Sequence, residues 1–284
     1  MKYVYTQKDG AGRIIMLKHE NVFEQNYFEQ KAGFTFHTIA WNTGEAQIVF
    51  IDESPCRFEA NSILPIMLNQ SFRFERPEDI VAWQFNRDFY CTVNHDAEVG
   101  CVGFIFFGPS PTMFVKLEAV DIDMMNRLLT VFEEEYLSED DIKGEMLRML
   151  LVRLIIKTTR LAKKQYLGTE EVKEEKFNLI RQYNLQVEIH FRKEHQVRFY
   201  AGLLNKSPKT ISNIFSLYSK KTPQQIIQER IITEAKRLFY YTDKSVKEIA
   251  DELGFEDAAH FSKYFKNVTS QNPSEIKKTT QRTR

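Results

Sequence analysis

Only three cysteines, Cys56, Cys91 and Cys101, stand in the 284 residues, scattered and without a C-x-x-C pair. An odd, sparse count cannot build a disulfide framework. With no apolar stretch of the export type between Met1 and Arg13, it points to a reducing cytoplasm. No run of eighteen apolar residues occurs, so no transmembrane helix is expected and no membrane partner. The pattern H-x-H is missing, and His37 and His95 are isolated. That leaves no converging imidazoles for a metal centre, and both read as structural or surface histidines. There is no phosphate-cradling glycine loop, no Ser-His-Asp set and no paired-carboxylate spacing. Nothing makes a case for an enzyme, and no cofactor is expected.

Charge of one sign is also lacking overall, because 39 basic residues balance 39 acidic ones. The balance hides a division. From Lys176 onward there are 20 Lys and Arg against 11 Asp and Glu, a surplus of nine. The preceding part has 19 against 28, a deficit of nine. A basic segment joined to an acidic one fits a nucleic-acid partner for the basic half alone.

The basic half contains a repeated grammar. Ser245-Val246-Lys247-Glu248 is a capping box, and Ile249, Ala250 and Leu253 give the helix behind it a core face. Gly254 stops that helix, Phe255 anchors the turn and Asp257 is an N-cap for the next. Phe261, Tyr264, Phe265 and Val268 then share one face of a second helix. About fifty residues upstream, Ile211, Ile214, Phe215 and Tyr218 repeat that spacing, and Ala201 and Leu204 answer to Ala250 and Leu253. Asn205 stands where Gly254 stands, and Asn is the next-best residue for a left-handed turn. Ser207-Pro208 opens the upstream second helix, read as Pro208 to Tyr218. Between the copies Thr222-Pro223-Gln224-Gln225 caps a connecting helix whose stripe is Ile227, Ile231, Ala235 and Leu238. Short helix, turn, second helix with a small polar face is helix-turn-helix grammar.

These residues resemble the DNA-binding domain of the AraC/XylS family of bacterial transcription regulators. The resemblance is carried by Arg230, Glu234-Ala235-Lys236, Leu238, Thr242, Ser245, Glu248-Ile249-Ala250, Leu253-Gly254-Phe255, Asp257, His260-Phe261-Ser262, Tyr264-Phe265-Lys266 and Pro273. Upstream, Ala201, Leu204, Ser207, Ile211-Ser212 and Phe215 fit the family's first motif. The chain departs from it at Lys220 and Ser270, where a glycine is usual after each second helix. The resemblance implies base-reading roles for Lys209, Ser212, Asn213, Ala258, Ala259 and Lys263. Helix geometry also turns Ser216 outward, and His260 and Ser262 flank the downstream face. Lys220 and Lys221 read as phosphate contacts. Asn213 can pair bidentately with adenine, and Lys209 or Lys263 with guanine, whereas Ala258 and Ala259 offer only apolar contact.

The acidic half reads as short strands to about residue 118. Phe34 to Ile39, Gln47 to Ile51, Ile63 to Met67, Ile80 to Phe85 and Gly100 to Phe107 are rich in β-branched and aromatic residues. Such strands without long intervening helices suggest an antiparallel jelly-roll barrel. The resemblance implies a cupin-like effector domain here. His37, Trp41, Gln70, Arg73 and Trp83 are candidate pocket residues, although aromatics at strand spacing serve a core more often than a ligand. Ile122, Met125, Leu129, Phe132 and Tyr136 make one helical stripe. Ser138-Glu139-Asp140-Asp141 reads as the start of another helix, with a broad face of Leu147, Leu150, Leu151, Leu154, Ile155 and Leu161. That face serves an intramolecular core or a homodimer, and the resemblance favours the dimer.

The expected architecture is therefore α+β. A cupin-like antiparallel β-barrel occupies 1–118, a helical dimerisation segment 119–167, a charged linker 168–178 and an all-α double helix-turn-helix domain 179–284. The expected function is that of a dimeric transcription regulator, specific for DNA sequence and responsive to a small-molecule effector. The alternative is a cupin-type ligand-binding or catalytic protein with a secondary DNA-binding role.

Overall fold

A computed structural model describes residues 1–25, 36–51, 54–68, 70–91, 102–107, 112–167, 171–219 and 221–282. His95, Cys101 and Lys220, and the start of the strand read from Phe34, lie outside the described residues. The chain divides into two compact units. One runs to Glu171 apart from two short stretches, and the other holds Val172–Arg284.

Among the described residues of the first unit, ten strands form two antiparallel sheets. They are β1 (Lys2–Thr6), β2 (Arg13–Lys18), β3 (Glu24–Gln25), β4 (His37–Asn42), β5 (Gln47–Ile51), β6 (Ser54–Phe58), β7 (Ser62–Ile66), β8 (Phe72–Phe74), β9 (Ile80–Phe85) and β10 (Val115–Lys116). A six-stranded sheet has the order β1-β2-β9-β4-β7-β10, and a four-stranded sheet the order β3-β8-β5-β6. Among the described residues strand pairing does not close a barrel; the two sheets share a sandwich core. Ala40, Leu64, Ile66 and Ala82 from one sheet meet Val49, Phe58, Phe72 and Phe74 from the other.

All six residues of β4 are buried, because both faces of that strand are covered. Alternation sends Ala40 into the sandwich and Trp41 to the opposite face. On that opposite face lie α2 (Ala119–Leu137) and α3 (Lys143–Leu167). Phe132 packs on Trp83 at 5.6 Å between ring centres, and Tyr136 on Tyr3 at 5.5 Å. Glu133 pairs with Lys18 at 2.6 Å, and Gln165 clasps both backbone groups of Lys116.

Two expectations need correcting. The run Gly100–Phe107 is not a strand; its described part is a short helix, α1 (Val102–Phe107), with Phe104, Ile105, Phe106 and Phe107 buried. An unbroken apolar run has no period, so it cannot choose between a buried strand and a buried helix. Ser138 does not start α3 either. It ends α2 with extended backbone, and Asp140 instead accepts from the Ile142 N–H ahead of Lys143.

The second unit is helical. It runs α4 (Glu171–His190), α5 (Val197–Leu203), α6 (Pro208–Tyr218), α7 (Pro223–Tyr241), α8 (Val246–Glu252), α9 (Ala258–Thr269) and α10 (Pro273–Arg282). Helix α4 begins inside the stretch read as linker. One core joins them, with Tyr183, Tyr200, Phe215, Ile231, Leu238, Ile249, Phe261 and Phe265 among its buried members. No helix among the described residues is long and apolar enough to cross a membrane.

Candidate nucleic-acid interface

The upstream motif is α5, a turn and α6. Asn205 takes φ 52°, the left-handed conformation its alignment with Gly254 required. Ser207 caps α6: the Thr210 N–H donates to Ser207 Oγ at 3.0 Å, and Pro208 follows at the first helical position. Ile211 and Phe215 are buried at 1% exposure each, which fixes the rotation of α6. Lys209, Ser212, Asn213 and Ser216 are consequently exposed. The Ser216 hydroxyl donates to the Asn213 carbonyl at 2.8 Å, so part of its capacity is used within the helix.

The downstream motif is α8, a turn and α9. The Ser245–Glu248 box closes both ways, at 3.2 Å from the Glu248 N–H to Ser245 Oγ and 2.7 Å from the Ser245 N–H to Glu248 Oε2. Gly254 takes φ 72°, and a Cβ there would lie 2.3 Å from the Arg192 carbonyl oxygen. Glycine is thus required twice over, by conformation and by close approach. The His260 N–H donates to Asp257 Oδ1 at 2.6 Å, which caps α9. Phe261 and Phe265 point into the core and leave Ala259, His260 and Lys263 exposed. Ala258 and Ser262 are half-buried, and the Ser262 hydroxyl donates back to the Ala258 carbonyl at 2.6 Å. Ser270 ends α9 at φ 60°, in the conformation a glycine would take without strain.

Helix α7 holds the two motifs in one unit. Its Thr222–Gln225 capping box closes as the sequence indicated, at 3.2 and 2.8 Å. Arg230 on α7 forks onto Glu188 of α4 at 2.5 and 3.2 Å and also meets Glu234 at 3.2 Å. Glu234 accepts from Arg237 at 2.5 Å and from Arg192 at 2.6 Å. Burial pushes the Glu234 carboxyl up. The Arg237 hydrogen bond and the charges of Arg230, Arg237 and Arg192 outweigh it and hold the group down to about 2.

A second tie was not legible from pattern. The loop after α4 docks on the downstream turn: the His195 ring lies 4.6 Å from Phe255, and Gly254 fits against Arg192. Burial lowers the His195 pKa, against raising contributions from backbone hydrogen bonds at Leu253 and Phe191 and the charge of Glu194.

Lys221 is paired with Glu229 at 2.6 Å. Lys193, Arg198, Lys209 and Lys263 are exposed and, among the described residues, carry no ion pair. Lys193 and Arg198 had no role in the sequence reading. Counting charges cannot tell which basic groups are already committed to a carboxylate.

The five candidate pocket residues do not gather. Arg73 is exposed on the outer face of the four-stranded sheet, over the Phe50 ring at 4.3 Å. Trp41, Trp83 and His37 are buried on the helix-facing side of the other sheet. Two sheet layers separate the groups, so one small molecule cannot touch both. Gln70 shapes a turn through its contact with the Met67 N–H at 2.9 Å. His37 stacks near Phe85 and Phe106. Burial, aided by the charge of Arg87, lowers its pKa to about 3 and keeps the imidazole neutral. Among the described residues no three metal-ligating side chains converge.

A family model described as a helix-turn-helix domain matches residues 200–279. Over 91 residues, 32% of this chain and 33% of the relative, the sequence is 32% identical to the HTH-type transcriptional activator RhaS of Enterobacter sp. (strain 638). The C-terminal unit contains a helix-turn-helix domain. An uncharacterised HTH-type transcriptional regulator of Staphylococcus aureus (strain MSSA476) matches this chain more widely. The identity is 21% over 237 residues, 82% of this chain and 30% of that one. The chain thus spans about a third of the length of these curated relatives. Among solved structures, fatty-acid-bound ToxT of Vibrio cholerae strain SCE256 aligns over 98% of this chain and 94% of its own, at 15% identity and a TM-score of 0.42. A likeness at that level carries no inference about ligand or mechanism.

Proposed function

We propose that this protein is a transcription regulator that binds double-stranded DNA sequence-specifically through α6 and α9. The observation that carries the reading is the exposure pattern of α6. Buried Ile211 and Phe215 alternate with exposed Lys209, Ser212, Asn213 and Ser216, a polar face with no interior partner. A major groove admits such a helix, and each base pair presents a distinct pattern there. Held by α7, the two reading helices enter successive major grooves on one side of the duplex, about 34 Å apart.

Asn213 pairs with an adenine, and Lys209 and Lys263 with guanines. Ala259, with Ala258 beside it, offers a methyl contact to thymine. His260 and Ser262 border that face, and Lys220 and Lys221 meet phosphates, Lys221 after leaving Glu229. Selection of bound genomic fragments at about physiological salt tests this. Enrichment of a few fragments supports sequence-specific reading; retention of all fragments equally removes it.

The N-terminal unit acts, in this proposal, as a cupin-like regulatory module that takes a small-molecule effector and pairs two copies in the cytoplasm. Leu137, Ile142, Met146 and Met149, at and beyond the end of α2, are exposed apolar residues that a second copy would cover. Replacing Met149 by Glu should convert a dimer to a monomer in sedimentation analysis. A wild-type monomer would remove the dimer. A thermal-shift screen with candidate metabolites tests for the effector.

A further inference from the structure

The strongest unassigned feature lies between the two motifs. A groove of about 520 Å³ is edged by Lys193, Glu194, His195, Arg198, Phe199 and Gly202. One wall is the loop docked on the downstream turn through His195 and Phe255. The other is α5, the first helix of the upstream motif. The groove therefore belongs to both reading units at once. Phe199 packs edge-on against His190 at 5.4 Å, and the Glu194 carbonyl accepts from the Tyr200 hydroxyl at 2.6 Å, so the walls are tied to the core.

Two cations stand at the rim with nothing committed to them. Lys193 and Arg198 are exposed, and among the described residues neither meets a carboxylate at ion-pair distance. Glu194 is half-buried and its charge falls on His195. Gly202, one turn beyond Arg198, leaves open space: a Cβ there would meet nothing within 4 Å. The backbone of α5 is therefore open to close approach by a bulky ligand.

We propose that this groove is a phosphate clamp for the DNA strand that passes between the two major grooves, with Lys193 and Arg198 as its cations. The inference rests on the DNA reading given above and deepens it. In a helix-turn-helix the second helix reads bases while the first crosses the phosphate backbone. When α6 and α9 occupy successive major grooves, the strand dividing those grooves runs past the space between the motifs. Phosphate contacts carry no sequence information, so the clamp sets position and affinity, not base preference.

The test is the salt dependence of binding by the full-length protein, read by fluorescence anisotropy on a selected duplex and on an unrelated one. Each lost phosphate contact should flatten the slope of log K against log salt by about 0.9, and weaken binding about fivefold near 0.15 M salt. Lys193→Gln and Arg198→Gln should each do this equally on both duplexes, with unchanged melting temperature. Arg198→Lys should keep the slope. Gly202→Glu, which places an anion in open space, should weaken binding on both duplexes without unfolding the chain. Wild-type slopes for both Gln variants would overturn the clamp while leaving the DNA reading intact. A wild-type protein that binds neither duplex would overturn the DNA reading, and the clamp with it.

Discussion

The upstream turn passes through Asn205 at φ 52° and the downstream turn through Gly254 at φ 72°. One backbone plan is thus met by two residues, and the difference is informative. Around Asn205 the chain is exposed, whereas Gly254 is pressed against the Arg192 carbonyl by the loop that docks there. The downstream motif also has a reciprocal capping box ahead of its first helix, while α5 has no side-chain cap. Base-reading chemistry is distributed the other way. The proposed DNA-facing positions on α6 are four exposed polar residues, whereas those on α9 are two alanines, a histidine, one lysine and a serine turned back on its own helix. The downstream motif is the better fixed, and in the proposed reading the upstream one is the better equipped to discriminate.

The largest effect expected from this contrast is that of Gly254→Ala. It adds a left-handed penalty to a backbone clash, roughly 2–5 kcal/mol together. Asn205→Ala should cost only about 1 kcal/mol, because that site is open. Denaturant midpoints of the two variants check the ranking.

Next comes the network that joins α7 to the docked loop. Glu234→Gln leaves three guanidiniums short of a carboxylate and should destabilise by about 3 kcal/mol. The Glu234 pKa is depressed from 4.5 to about 2 in the fold. Its contribution is therefore complete above about pH 4.5 and is lost as pH falls toward 2. Urea midpoints between pH 6 and pH 3 should fall less steeply for the variant than for the wild type.

Asn213→Ala should cost roughly 1–3 kcal/mol of binding and relax one base position. An equal loss on every sequence would make Asn213 a positioning residue. Smallest is Ser270→Gly. Glycine removes the left-handed strain at the end of α9 and should raise stability by up to about 1 kcal/mol, offset in part by a freer unfolded chain. A thermal melt shows the sign.

Much of the second unit was legible in its sequence, because local rules decide it. Capping boxes at Thr222 and Ser245, the Ser207-Pro208 start and the matched turn residues are short-range chemistry, and the stripes through Phe215 and Phe265 follow helical period. The docking of His195 on Phe255 was not legible, since it joins segments sixty residues apart with no repeating pattern. Nor was the fate of the charges: Arg192 and Lys221 look like surface cations until Glu234 and Glu229 are found beside them. The hydroxyl of Ser262, assigned to the DNA face, turns back on its own helix. In the first unit the strands Gln47–Ile51 and Ile80–Phe85 were read as they stand, but the run at Val102–Phe107 was apolar without period and read wrongly. Single strands do not say whether their sheet closes, and the pocket candidates were scattered by an alternation that depends on which sheet each strand joins.

Selection of DNA by the full-length protein tests whether two unequal reading helices work from one unit. Aligned bound sequences should show two blocks of base preference one helical turn apart, with more information in the block read by α6, and Asn213→Ala should erase part of that block alone. A single block, or a stronger preference at the α9 block, would contradict it.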